Sequence, residues 1–315
     1  MRTQIQNVVE AERKKVRRRT LEAVSVIVCG LICAVLLERG IDARRPAFNL
    51  QVEEEGLYLT GNTLKRASLA FNGLAADWYW MRSLQYVGNK LLKAGVGVQL
   101  DRLSKLNLNL LAPLLETTTT LDPEFQEPYE YAAVVLPAID VQEAIRITRK
   151  GVAANPLEWR LYQHLGYIYW QQRDFKASGE AYGQGAALPG APAWMQAMKA
   201  RMAAEGGSRN LAREIYAHMY EQAGDPAVKD MARRRLLQLD SLDQIDLLRK
   251  VLFHHKAKAG RCAADWQEVG PALRALLVPV DITGAPLDPS GKPYVLVSTN
   301  CEIDLDSKSE IPRGN

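Results

Sequence analysis

Small and large residues alternate at helical spacing between Asp122 and Pro192, and this rhythm occurs twice. Ala132, Ala144 and Gly151 in the first stretch correspond to Gly166, Ser178 and Gly185 in the second. Large residues fill the gaps: Tyr131, Val135 and Thr148, then Leu165, Tyr169 and Tyr182. Apolar positions three and four apart predict helices, and small residues on one face predict that a second helix lies close against it. Asp122-Pro123 and Asn155-Pro156 start the two stretches, and Pro123 and Pro156 are 33 residues apart. Each stretch therefore predicts one helical hairpin.

The pattern continues in both directions. From Leu64 the sequence "LKRASLAFNGLAADWYWMRSLQYVG" predicts a helix that Gly88 stops. After a loop holding Gly95 and Gly97, a second helix is expected from about residue 101 to Leu121. Trp194–Ala204 and Leu211–Gln222 predict another pair around Gly206-Gly207. Ala227–Leu239 and Leu242–Lys258 predict one more, with Asp225-Pro226 as its start and Asp240-Ser241 as its turn. Trp78, Tyr79, Trp80 and Tyr86 read either as an aromatic binding platform or as core that caps the end of the array. The second use is favoured because end repeats must cover an apolar face.

The words Tyr162-x-x-Leu165-Gly166-x-x-Tyr169 and Arg173-Asp174-Phe175 resemble the tetratricopeptide repeat, whose period is about 34 residues. Tyr162 stands where that family has a tryptophan, Trp159 lies a turn earlier, and the closing proline is displaced to Pro192. The resemblance implies an all-α solenoid of helical hairpins over 63–258, and a scaffold or adaptor that binds other proteins. Beyond Gly260 the period changes: Gly and Pro crowd Pro279 to Pro293, and "PYVLVS" and "CEIDLDS" predict a closing β-hairpin in an α+β tail, 259–315. The wording "PLDPSGKPYVL" is similar to the C-terminal turn and strand of type II secretion pseudopilins. The pilin-type N-terminal methylation signature is missing, so this resemblance implies a shared closure and a bacterial source rather than a pilin.

Charge and composition sharpen the N-terminus. A net charge of +4 over 315 residues is mild, and its excess lies near the start, which points to a membrane surface rather than nucleic acid. Residues 1–20 carry Arg13, Lys14, Lys15, Arg17, Arg18 and Arg19 ahead of an uncharged run from Ala23 to Leu37. A transmembrane signal anchor over 21–38 is expected, followed by a linker, 39–62. The rivals are a cleaved secretory signal, against which no small-x-small site stands near the end of the run, and a buried helix of a soluble protein. The positive-inside rule puts residues 1–20 in the cytoplasm and the repeats on the other side, in the periplasm of a bacterium. Cys29 and Cys33 share a helix face and read as small apolar filler, with acylation or a dimer contact as the other uses. Cys262 and Cys301 are disulfide candidates in an oxidising compartment.

Catalytic signatures do not stand out. His164, His218, His254 and His255 form no metal-binding spacing, and the sequence has neither a phosphate-binding glycine loop nor a nucleophile elbow. No enzyme activity, cofactor, metal, nucleic acid or small-molecule substrate is expected. What remains is a surface. Arg160, Gln163, Tyr167 and Trp170 lie off the packing stripe of one helix, and Gln126 and Tyr129 extend the same wall in the preceding copy. Aromatics and arginine are frequent interface anchors, so these six residues are the expected protein-binding groove, the other reading being an ordinary amphipathic face filled by a neighbouring part of the chain. Three readings stay open: an adaptor with exchanging partners in an envelope complex for assembly, secretion or surface structures, a permanent structural subunit of a large membrane enzyme complex, and a periplasmic chaperone that binds one client transiently.

Overall fold

The computed structural model describes Ser25 and residues 28–39, 60–68, 70–94 and 100–313. It falls into two compact units, Met1–Tyr58 and Leu59–Asn315. In the first, residues 28–39 are helical, with Leu31, Ile32, Leu36 and Leu37 exposed, and Cys29 and Cys33 unbonded to each other. Among the described residues no helix is long and apolar enough to cross a membrane. The expected basic segment, most of the first part of the expected span, and linker residues 40–59 lie outside the described residues.

The second unit is mostly helical, with a two-stranded sheet near its C-terminus. It opens with α1 (Gly61–Ala67) and α2 (Asn72–Ala94), followed by a 3-10 turn at Leu100–Leu106 and α3 (Leu111–Leu121). The single helix expected from Leu64 to Gly88 is therefore two helices. The chain breaks at Ala70, whose φ of 75° no helix accepts, and α2 runs on past Gly88. A mid-helix glycine costs only about 1 kcal/mol relative to alanine, and burial of Tyr79 and Val87 on the same helix offsets it. The helix expected from 101 to 121 is likewise interrupted, at Asn107 with φ 48°.

Four helices follow as two pairs: α4 (Glu127–Val135) with α5 (Val141–Ala154), and α6 (Trp159–Gln171) with α7 (Phe175–Ala186). Asp140, Glu158 and Asp174 accept hydrogen bonds from first-turn backbone N–H groups and so fix the starts of α5, α6 and α7. The pairing is antiparallel, because Gly166 meets Tyr182 while Gly185 meets Tyr162. The two pairs are built alike. The Tyr129 hydroxyl donates to the Pro123 carbonyl at 3.2 Å, and the Tyr162 hydroxyl donates to the Pro156 carbonyl at 3.2 Å. Tyr129 lies against Gly151 as Tyr162 lies against Gly185.

A third pair, α8 (Ala193–Glu205) and α9 (Arg209–Gln222), leads into α10, one helix of 34 residues from Pro226 to Ala259. The turn expected at Asp240-Ser241 does not form. Asp240 pairs with Arg213 of α9, and the Ser241 side chain is buried against the Tyr294 hydroxyl at 2.8 Å, so both residues are used from within a continuous helix. Gly260, in the left-handed conformation with φ 72°, ends α10. In the tail a 3-10 turn at Gln267–Val269 and α11 (Gly270–Ala275) precede β1 (Val295–Val297) and β2 (Glu302–Asp304), antiparallel with Leu296 opposite Ile303. Cys262 and Cys301 are joined as a disulfide with Cα atoms 5.4 Å apart.

Candidate functional site: a face of α4, α6 and α8

Consecutive pairs meet at contacts that repeat with the sequence period. Lys150 donates to Glu116 at 2.6 Å across 34 residues, Trp170 Nε1 donates to Glu205 at 2.9 Å across 35, and Trp159 packs edge-on against Trp194 with ring centroids 6.1 Å apart. The last two contacts lay α6 beside α8 and decide what the expected groove residues can offer.

The six residues of the expected groove divide. Tyr129 is not on the surface: it is 0% exposed, pressed onto Gly151, and burial pushes its hydroxyl up to about 12. It belongs to the same packing position as Tyr162, 33 residues on, and not to the position of Gln163. Gln126 is half-buried just before α4, and Gln163 is half-buried on α6. Trp170 is committed to α8. Its N–H is taken by Glu205, and the guanidinium of Arg201 lies 4.7 Å from its ring centroid, itself held to Glu205 at 2.6 Å. Tyr167 is the aromatic left facing outward, 48% exposed and edge-on to Trp170 at 5.8 Å. Arg160 is exposed, stacked 4.7 Å from the Trp159 centroid and paired with Glu158 at 3.1 Å.

Arg160 also bears on α4. Burial raises the Glu130 carboxyl, Glu158 raises it further, and Arg160 pulls it down, with the net result above the ordinary carboxylate range. The face thus presents Glu127 and Glu130 from α4, Arg160 and Tyr167 from α6, and Trp194 from α8. Trp159, Trp194, Arg201 and Glu205 were outside the expected set, although the 35-residue spacings Trp159 to Trp194 and Trp170 to Glu205 stand in the sequence. An exposed ring on one face with a guanidinium and two carboxylates can stack on and hydrogen-bond a peptide.

A second concavity lies on the side of α7 turned away from α6. Gly179 and Gly183 form its floor, and with Phe175, Lys199, Met202 and Leu211 it encloses about 780 Å³. The Lys199 side chain lies along Gly183, where a Cβ would come within 3.1 Å of its Cδ. His164 is half-buried, and burial alone lowers its imidazole, as expected for a packed side chain. Among the described residues no group of three or more His, Cys, Asp or Glu could hold a metal ion. No protein-family model matches the chain, and no curated protein matches it.

Proposed function

We propose that the protein is a membrane-anchored scaffold or adaptor whose helical pairs form a tetratricopeptide-like α-solenoid, and that it binds a protein segment across α4, α6 and α8 in an extracytoplasmic envelope complex. The observation that carries the reading is Tyr167: a large aromatic held outward, two turns along α6 from the exposed Arg160, while its neighbour Trp170 is locked to the next pair. The recurrence of inter-pair contacts at 34 and 35 residues supports the solenoid. Basic residues ahead of the apolar run support the anchor, and the Cys262–Cys301 bridge fits an oxidising compartment.

The test is a photo-crosslinking residue at Tyr167 of the full chain in intact cells, followed by mass spectrometry. A defined set of crosslinked proteins, lost on Arg160→Ala with unchanged circular dichroism, is the expected result. Absence of any crosslinked protein at 167 would overturn the site. A partner present in constant ratio, without which the chain is degraded, would assign the protein as a permanent subunit instead of an adaptor.

A further inference from the structure

α2 is apolar on two opposite sides. Its inner side carries Ala76, Tyr79, Ser83 and Val87, all buried. Its outer side carries Leu74, Trp78 and Met81, exposed by 70%, 51% and 53%; Phe71, 69% exposed just ahead of the helix, continues the row at steps of three and four residues, and Leu92 extends it three turns further. A helix with two apolar sides can serve two partners, and the helices of this unit cover one of them. An exposed row of this kind marks an interaction site.

Charge indicates the second partner. Lys65 and Arg66 of α1 and Arg82, Lys90 and Lys93 of α2 stand against Asp77 alone, so residues 61–94 have a net charge of +4, equal to that of the whole chain. Arg82 lies 5.2 Å from the Trp78 ring centroid, which places a guanidinium at the rim of the apolar row. An aromatic and aliphatic row with a guanidinium at its rim, on a segment of net positive charge, suits the interface of an anionic bilayer.

We propose that the outer side of α2 rests on the membrane, inserting Phe71, Leu74, Trp78 and Met81 among anionic lipid headgroups and so setting the orientation of the repeat array over the bilayer. The proposal rests on the apolar row and its basic rim and not on the anchored placement proposed above.

The test uses the full chain reconstituted into vesicles containing phosphatidylglycerol, with vesicles of phosphatidylcholine alone as comparison. An environment-sensitive probe goes on Gln85→Cys in a Cys29→Ser/Cys33→Ser background, because Gln85 is exposed one turn beyond Met81 and leaves the apolar row intact. A second sample carries the probe on native Cys29 and Cys33. Quenching of the residue-85 probe by lipids labelled near the headgroup is expected in phosphatidylglycerol vesicles. Phe71→Ser/Trp78→Ser should reduce it at least about tenfold while circular dichroism is unchanged. A residue-85 probe open to aqueous iodide, with the 29/33 probe deep in the bilayer, would overturn the dock and leave the anchor standing. The converse result would retain the dock and overturn the anchor. A residue-85 probe shielded from both iodide and lipid quenchers would show that protein, not membrane, covers α2, and would also overturn the proposal.

Discussion

At Gly151 the missing side chain lets Tyr129 lie flat on α5. A Cβ there would sit 2.7 Å from the Tyr129 Cγ, and the ring cannot retreat because it is fully buried and its hydroxyl donates to the Pro123 carbonyl. Gly151→Ala should therefore destabilise the fold by about 1–3 kcal/mol in denaturant titrations. Gly183 is the contrast. Its added Cβ would meet only the flexible Lys199 chain, so Gly183→Ala should be neutral, or stabilising by up to about 1 kcal/mol through helix propensity. Equal losses at the two glycines would contradict this account. The same positions show what one residue reveals in sequence. The small-residue rhythm at Gly151, Gly166 and Gly185 marks close helix contact without coordinates. The burial of Tyr129 was legible too, since it precedes Tyr162 by 33 residues, but carrying the groove back from Gln163 and Arg160 missed the offset.

Helix joins helix through both apolar and charged contacts. Glu116 of α3 receives Lys150 at 2.6 Å and Arg146 at 2.7 Å from α5. Burial alone would raise its carboxyl, but hydrogen bonds and charge from Lys150 and Arg146 outweigh burial and hold it below the ordinary value. A carboxyl depressed on folding contributes stability above its unfolded pKa and loses it as pH falls through the lower, folded value. Thermal stability should thus decline on acidification through the carboxylate range, and Glu116→Gln should lower stability near neutrality while flattening that decline. An unchanged acid limb in Glu116→Gln would refute the role. Element boundaries were less legible than element existence. Asp240 and Ser241 carry start and turn chemistry in the sequence, yet their partners are Arg213 on α9 and Tyr294 in the tail, 53 residues beyond Ser241, and no local pattern reveals such partners. Gly88 misled for the opposite reason: nothing lies within 4 Å of where its Cβ would be, so it neither ends nor packs the helix.

Across the second unit, α10 serves two cores. Ala232 and Leu239 pack with Ala212, Ile215 and Tyr216 of α9, whereas Leu248, Val251 and Leu252 pack with Trp266, Leu273, Tyr294 and Ile303 of the tail. The tail is small, and the Cys262–Cys301 bridge closes a loop of 39 residues across it, worth about 4 kcal/mol in chain entropy. Reduction should therefore raise hydrogen exchange at 295–304 sharply while leaving 159–222 protected. Equal loss of protection in both regions would mean that the unit opens as one. The helical array was readable because its signal repeats, whereas the tail was readable only as turns and strands, since its core is assembled from residues scattered between Leu248 and Ile303.

Between Leu239 and Leu248 the side chains of Leu242 and Asp243 are exposed, and substitutions there should be well tolerated apart from the arginine pairs. Insertions are another matter. α10 holds no glycine or proline between Ala227 and Ala259, so an added or deleted residue has no joint in which to be absorbed. Each one would turn everything downstream by about 100° and shift it by about 1.5 Å. Leu239 could then stay in phase with the core on α9, or Leu248 with the core of the tail, but not both. The count of residues in this stretch is under tighter constraint than their identities, so an alignment gap there would mark a different spatial arrangement of the tail rather than a harmless length change.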